Sequence, residues 1–127
     1  MHMKTIIQTK NSSDPVGPYS QGTVFGDLIF LSGQIPLMPG SNKIISQDIG
    51  LQTHQVMENI KALLENSNSG LDKVLFTTLY LKNLDDFNEV NAIYGTFFNS
   101  PPPARATVEV SRLPRDVKIE ITVIAHK

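Results

Sequence analysis

The sequence predicts a single α+β domain in which two amphipathic helices cover one face of a mixed six-stranded sheet. The chain has 127 residues, 40% of them hydrophobic, which suits one globular domain over residues 1–127. Short runs of β-branched and aromatic residues alternate with two segments whose apolar residues recur at helical spacing. In chain order, these segments predict three strands, a helix, a strand, a second helix and two final strands.

Three strands are predicted before the first helix. Residues Thr5–Ile7 form a short β-prone run, and Asn11–Pro18 has the polar, glycine and proline content of a loop. The apolar runs Thr23–Phe25 and Leu28–Ser32 are separated only by Gly26-Asp27. This two-residue connection predicts a β-hairpin.

The first helix is predicted over Ser46–Glu65. Ser46 is the expected N-cap, and Asp48 lies in the first turn, where a negative charge favours a helix. An apolar stripe at helical spacing runs along the segment. The stripe consists of Ile49, Val56, Met57, Ile60, Leu63 and Leu64.

A buried strand and a second helix follow. Residues Val74–Leu81 are apolar at alternating positions on both sides, which is typical of a strand covered on both faces. The second helix is predicted over Asp85–Phe98. Its apolar face consists of Phe87, Val90, Tyr94 and Phe97.

The last two strands are predicted to pair as a hairpin. They are Ala104–Ser111 and Val117–His126, joined by a turn at Arg112–Asp116. A four-residue turn at Arg112–Arg115 sets Thr107 opposite Glu120 and Arg105 opposite Thr122. Arg105 and Glu120 are then diagonal neighbours on one face, within reach of each other.

Arg105 and Glu120 are the candidate catalytic pair because both charges lie inside apolar strands. An arginine fork can hold a carboxylate with two hydrogen bonds, and a nearby glutamate can take or give a proton. Arg105 would lower the pKa of Glu120 and burial would raise it. An ordinary cross-strand ion pair is the alternative interpretation, and spacing alone favours that alternative.

The predicted strands are apolar on more than one face, but two helices can cover only one face of a sheet. Further copies of the chain are the simplest cover for the second face. The sequence therefore predicts a homo-oligomer.

Composition disfavours several classes of function. Eleven Lys and Arg against twelve Asp and Glu give a net charge of −1, which argues against a dedicated nucleic-acid binder. The absence of cysteine excludes disulfides and a thiol nucleophile, and makes structural zinc improbable. No signal-peptide pattern or membrane-length apolar run is visible, so a cytoplasmic location is expected. The histidines (His2, His54 and His126) do not suggest catalysis.

Several spaced blocks extend over nearly the whole chain. They are Gly17-Pro18-Tyr19-Ser20-Gln21-Gly22, Leu31-Ser32-Gly33-Gln34-Ile35-Pro36, Asp85 and Phe87 with Val90-Asn91-Ala92-Ile93-Tyr94, Pro103-Ala104-Arg105-Ala106-Thr107-Val108, Ser111-Arg112-Leu113 and Ile119-Glu120-Ile121. In this order they resemble the blocks of the RidA family, also called YjgF or L-PSP. Any one block would be weak evidence, but together they are highly specific.

The resemblance implies a chorismate-mutase-like fold, assembled as a homotrimer with ligand sites in clefts between subunits. It implies a 2-iminobutanoate/2-iminopropanoate deaminase, which hydrolyses 2-aminoacrylate and 2-aminocrotonate to 2-keto acids and ammonia. Such a protein serves metabolite damage control. No cofactor or metal is implied, and the expected partners are small carboxylates, with no membrane or nucleic acid.

The resemblance also implies residue roles. Arg105 binds the substrate carboxylate and Glu120 activates the attacking water. Position 107 is usually Cys in the best-studied bacterial members, so Thr107 contributes its backbone or hydroxyl. The other expected substrate-binding residues are Tyr19, Ser32, Gly33 and Asn91.

Each of those substrate-binding residues has a structural alternative. Tyr19 could be a packing aromatic, and Asn91 could bond one helix to another. Ser32-Gly33 could simply end a strand, and Gly33 could serve only its backbone angles. Two other functions also remain open for the whole chain. One is a non-catalytic regulatory protein that binds a small carboxylate. The other is an endoribonuclease, which the near-neutral charge disfavours.

Overall fold

The computed structural model describes residues 3–127, so His2 lies outside the described part of the chain. These residues form six strands and two α-helices, which confirms the predicted α+β class. The elements are β1 (Thr5–Ile7), β2 (Gly22–Phe25), β3 (Leu28–Gln34), α1 (Ile49–Glu65), β4 (Val74–Leu81), α2 (Phe87–Gly95), β5 (Ala104–Glu109) and β6 (Ile119–His126).

The six strands form one sheet in the order β1-β2-β3-β6-β4-β5. All neighbouring pairs are antiparallel except β4 and β5, which are parallel. The core lies between the helices and one face of the sheet, where every second residue of β6 is buried. Neither helix within residues 3–127 has the length and apolarity needed to cross a lipid bilayer.

The first helix begins at Ile49, three residues later than predicted, and Asp48 is its N-cap. The Asp48 carboxylate accepts a hydrogen bond from the Leu51 backbone N–H at 2.8 Å. The predicted cap, Ser46, lies in the approach, where its hydroxyl accepts from the Asp48 N–H at 3.0 Å. Ser46 and Asp48 are both good capping residues, and their spacing alone did not distinguish them.

The second helix is shorter than the predicted segment. Residues Leu84–Asp86 form a 3₁₀ turn, and the regular helix covers Phe87–Gly95. Val90 and Tyr94 are buried as predicted, whereas Phe87 is 37% exposed. The apolar face predicted for this helix is therefore only partly covered within one chain.

The predicted hairpin of the last two strands is wrong, because β4 lies between them. Arg105 pairs with Thr77 on β4 rather than with Thr122, and Glu120 pairs with Tyr80 rather than with Thr107. A parallel pair needs a crossover connection, which α2 supplies between β4 and β5. The second edge of β4 is then free to pair with β6.

The face of the sheet opposite the helices carries many apolar side chains and is uncovered within one chain. One row of paired residues crosses all six strands on this face, and Phe30 and Phe76 within it are 42% and 36% exposed. The row is Ile6, Thr23, Phe30, Ile124, Phe76 and Ala104. Strand β4, which was predicted to be covered on both faces, is therefore covered on one face only within one chain.

Candidate functional site

Glu120 lies in an open recess of about 310 Å³ on the uncovered face of the sheet. Its Cα partner, Tyr80, pairs in turn with Val108, so these three side chains share that face. The recess brings together four of the predicted site residues with neighbours from three loops. Its lining residues are Val16, Tyr19, Ser32, Gly33, Ile35, Pro114 and Glu120.

Gly33 makes room for the Glu120 carboxyl group. A Cβ added at Gly33 would lie 2.8 Å from Cδ of Glu120 and even closer to Oε2. Gly33 is not at a positive φ, so backbone angles do not require a glycine here. The register of β3 against β6 shifts between Leu31 and Gln34, and this irregularity sets Gly33 beside Glu120.

The polar groups of Ser32 and Tyr19 are engaged with the loop before β2. The Ser32 hydroxyl donates to the Ser20 carbonyl at 2.6 Å, and the Tyr19 hydroxyl accepts from the Val16 N–H at 3.1 Å. Both residues therefore shape the wall of the recess. The Tyr19 hydroxyl hydrogen is still available to a ligand, because the bond to Val16 uses only the oxygen.

Gln21 holds the loop that carries Tyr19, a role that the sequence interpretation missed. Its side-chain oxygen accepts from the Thr9 N–H at 2.7 Å. Its amide nitrogen donates to the carbonyls of Thr9 and Ser13 at 3.0 and 2.9 Å. Gln21 is only 4% exposed, so its amide group needs these partners. The sequence signal that could have revealed this role is an amide side chain placed just before the first strand of the predicted hairpin.

Burial raises the pKa of Glu120 above that of an ordinary glutamate. Arg105 does not contribute to this shift within the chain. The ion pairs recorded among residues 3–127 are His54–Glu58 and Arg112–Asp116, and neither involves Glu120. A half-buried carboxyl group with a raised pKa and no recorded cationic partner among residues 3–127 is a candidate for general acid–base chemistry.

Arg105 lies on the opposite, helix-covered face of the sheet. Its pairing with Thr77, a buried residue, fixes this direction because paired residues point to the same side. The guanidinium carbon lies 5.0 Å from the ring centre of Tyr94 and 5.5 Å from that of Phe87, both on α2. None of the recorded salt bridges of residues 3–127 engages Arg105.

Asn91 and Thr107 lie on the same side as Arg105 and carry polar atoms without partners. Thr107 pairs with Leu79, a core residue, and Asn91 follows Phe87 by one helical turn. The Asn91 Oδ1 and Thr107 Oγ1 atoms are buried and have no hydrogen-bond partner. Buried polar atoms of this kind are rarely left unpaired, so a further group is expected to reach them.

The predicted site residues thus form two separate halves within one chain. The carboxyl half contains Tyr19, Ser32, Gly33 and Glu120 on the uncovered face. The guanidinium half contains Asn91, Arg105 and Thr107 on the helix-covered face. The expected proximity of Arg105 and Glu120 within the chain is wrong, because β4 lies between their strands and its pairings place the two side chains on opposite faces of the sheet.

The profile of the family described as endoribonuclease L-PSP matches residues 9–127 of this chain. A RutC family protein from Saccharolobus solfataricus is 53% identical over 125 residues, which cover 98% of this chain and 99% of the relative. The 2-iminobutanoate/2-iminopropanoate deaminase of Salmonella typhimurium is 43% identical over 126 residues, which cover 97% of this chain and 98% of the relative.

The fold is shared with solved structures. The crystal structure of TdcF from E. coli with bound serine superposes with a TM-score of 0.92 at 36% identity. The superposition covers 97% of this chain and 98% of that one. The likeness therefore extends over both halves of the site.

Gly33→Ala is expected to displace the Glu120 carboxyl group rather than to unfold the protein. The added methyl group overlaps the end of a flexible side chain, so the cost in unfolding free energy is about 1 kcal/mol, near the lower limit for overpacking. Displacement towards solvent lowers the pKa of Glu120 towards its ordinary value, because burial is what raises it. A carbon-detected NMR titration of the Glu120 carboxyl group measures this change.

Gly95→Ala is the matched control, since a Cβ at Gly95 meets nothing within 4 Å. It is expected to leave the pKa of Glu120 unchanged. An unaltered pKa in Gly33→Ala would contradict the assignment of Gly33 as the space for Glu120.

Glu120→Gln is expected to gain stability relative to the wild type as the pH rises. Because the pKa of Glu120 is raised in the folded state, its protonated form favours folding, and that advantage is lost as the pH rises through the raised pKa. Glutamine keeps the shape and stays neutral. Denaturant unfolding of both proteins, at equal protomer concentration, at about pH 4 and about pH 7.5 measures the difference.

The variant should gain stability relative to the wild type between the two pH values. Glu65→Gln, an exposed change at the end of α1, controls for the general loss of one negative charge. An equal gain in both variants would show that burial of Glu120 is not the cause.

Proposed function

The chain belongs to the RidA/YjgF (L-PSP) family, and we propose on that basis that it hydrolyses reactive enamines and imines. The proposed substrates are 2-aminoacrylate and 2-aminocrotonate with their imine tautomers, and the products are 2-keto acids and ammonia. The observation that carries the proposal is Glu120, a half-buried carboxyl group with a raised pKa in an open recess. It is supported by the deaminase relative at 43% identity.

In the proposed reaction, the enamine first tautomerises to an imine, whose C2 atom is electrophilic. Glu120 takes a proton from a water molecule as the water oxygen bonds to C2, which gives a carbinolamine. The same carboxyl group returns that proton to the nitrogen, which makes it an amine. It then takes the proton of the C2 hydroxyl group and passes it to the nitrogen as the C2=O bond forms and the C2–N bond breaks, so that ammonia leaves and the 2-keto acid remains. A general acid–base residue of this kind contributes about 100- to 10,000-fold in rate.

Arg105 is proposed to bind the carboxylate that all these substrates carry. Its guanidinium group has no recorded salt-bridge partner among residues 3–127, so its donors are available for a bidentate contact. The serine bound in the E. coli TdcF structure also carries a carboxylate, which supports a small carboxylate as the ligand class. Asn91 and Thr107 are proposed to complete the pocket around Arg105.

The complete site is proposed to form between two copies of the chain. Arg105 and Glu120 point away from opposite faces of one sheet, so one substrate can touch both only if they come from different copies. Strand β5, which carries Arg105, is at the edge of the sheet, where another copy can approach. The apolar row across the uncovered face supports the same conclusion, and a homotrimer is the proposed assembly.

Thr107 replaces the thiol that the resemblance leads one to expect at this position. The buried hydroxyl without a partner can donate a hydrogen bond, as the thiol does only weakly. Hydrolysis by Arg105 and Glu120 does not require a thiol. Regulation through oxidation of that residue, however, is not open to this chain, which contains no cysteine.

Catalysis is expected to be lost in Arg105→Ala and strongly reduced in Arg105→Lys, because lysine lacks the planar fork that binds a carboxylate bidentately. Glu120→Gln is expected to bind 2-oxobutanoate but to turn over about 100-fold more slowly or worse. The assay couples a serine or threonine dehydratase to the purified protein and follows release of the keto acid. Lys82→Ala, a change of a cation outside both halves, controls for charge.

The coupled assay, together with measurements of 2-oxobutanoate binding and of RNA cleavage, decides between the alternatives. If the wild type does not accelerate keto acid release yet binds 2-oxobutanoate through Arg105, the protein is a carboxylate-binding regulator and not a deaminase. RNA cleavage that survives repurification and disappears in Arg105→Ala would instead favour the endoribonuclease.

Mixed assemblies test whether two copies share the site. Arg105→Ala and Glu120→Gln are each expected to be nearly inactive alone. When equal amounts are unfolded together and refolded, about a quarter of the sites in a randomly mixed cyclic oligomer pair an intact Arg105 with an intact Glu120. Recovery of activity to that level is expected, whereas a site within one chain gives no recovery.

A further inference from the structure

Arg105 is held against two aromatic rings of α2. Its guanidinium carbon lies 5.0 Å from the Tyr94 ring centre and 5.5 Å from the Phe87 ring centre, within the range of cation–π attraction. Phe87 and Tyr94 are seven residues apart, two turns of the helix, so both rings face β5. The side chain of Arg105 spans both of them.

The inner ring, Tyr94, is itself fixed. It is buried, and its hydroxyl forms a 2.8 Å hydrogen bond with the Thr77 hydroxyl. Its ring also packs against that of Phe98, with the centres 4.8 Å apart. Thr77 is the β4 residue that pairs with Arg105, so the hydroxyl bond connects the ring to the strand next to the arginine.

The outer ring, Phe87, is 37% exposed and borders the solvent side of the arginine. An aromatic face attracts the guanidinium cation. It accepts no conventional hydrogen bond from the N–H groups, which lie in the plane of the guanidinium group. The two rings therefore restrain Arg105 while leaving its N–H donors unused. An acidic partner in their place would restrain the arginine equally well but would occupy the donors.

We propose that Phe87 and Tyr94 are positioning residues that hold Arg105 for the substrate carboxylate, with Thr77 fixing the Tyr94 ring. This inference rests on the proposed function, because it requires that Arg105 binds the carboxylate. It assigns the α2 face a role in ligand affinity in addition to its role in the core. Because the arginine is already restrained, its side chain loses less conformational entropy when the carboxylate binds.

Phe87→Leu and Tyr94→Leu, which remove one ring each, test the proposal. Calorimetric titration with 2-oxobutanoate is expected to show binding weakened about 2- to 30-fold, the range of one cation–π contact. In the coupled assay the KM should rise with little change in kcat, since the rings do not touch the reacting atoms. Phe87→Tyr, which restores a ring, should recover most of the affinity that Phe87→Leu loses.

A spectroscopic readout tests the geometry independently of activity. The guanidinium carbon of Arg105 lies over two ring faces, so the NMR signal of the attached Nε–H group is expected at an unusual ring-current position. The signal should move towards the ordinary arginine position in either leucine variant. Phe97→Leu is the matched control, because it removes a partly buried ring of the same segment whose recorded ring contact is with His54.

The outcomes separate the two proposals. If Arg105→Ala abolishes 2-oxobutanoate binding while both leucine variants bind like the wild type, the positioning role is overturned and the proposed function stands. If Arg105→Ala binds like the wild type, both proposals are overturned. Should Tyr94→Leu fail to fold, Phe87→Leu decides the question, because Phe87 is at the surface and its loss leaves the core intact.

Discussion

Strand β4 is hydrogen-bonded to β5 on one side and to β6 on the other, and this placement determines where the side chains of the candidate site point. The register aligns Arg105 with Thr77 on the helix-covered face, and Glu120 with Tyr80 on the uncovered face. A slip of one residue in either pairing would turn a row of core residues out to solvent. The burial of alternate β6 residues therefore holds Arg105 and Glu120 on opposite sides of the sheet.

The recess around Glu120 depends on an interruption of that regular pairing. Between Leu31 and Gln34 the register of β3 shifts against β6, and Gly33 there has no side chain to compete with the Glu120 carboxyl group. The loop that forms the other wall is attached through the buried amide of Gln21. A regular strand pair supplies the rigid floor, and the irregular part supplies the open volume of the recess.

Local patterns in the sequence predicted the elements well but not their arrangement. The bounds of β1 and β4 agree with the prediction, and the Gly26-Asp27 connection joins a hairpin as expected, because alternation and turn chemistry are properties of neighbouring residues. The order of the last three strands depends on contacts between distant parts of the chain. Adjacent strands in sequence are usually adjacent in space, and that tendency favoured a β5–β6 hairpin. The hairpin is excluded because β3 and β4 occupy the two edges of β6. Arg105 and Glu120 stood out as charges inside apolar strands, whereas the other site residues were identified through family motifs. Neither signal showed that the residues divide into two halves.

The division of the site has an electrostatic consequence. If Arg105 and Glu120 faced each other within one chain, the guanidinium group would lower the pKa of the carboxyl group and occupy its own donors. Both properties on which the proposed reaction depends would then be lost. Within one chain burial instead raises the pKa of Glu120, while Arg105 rests against aromatic rings that leave its N–H groups free. A contact between copies that brings these groups together must therefore keep them about one small ligand apart, so that the substrate carboxylate pairs with Arg105 and Glu120 remains able to carry a proton.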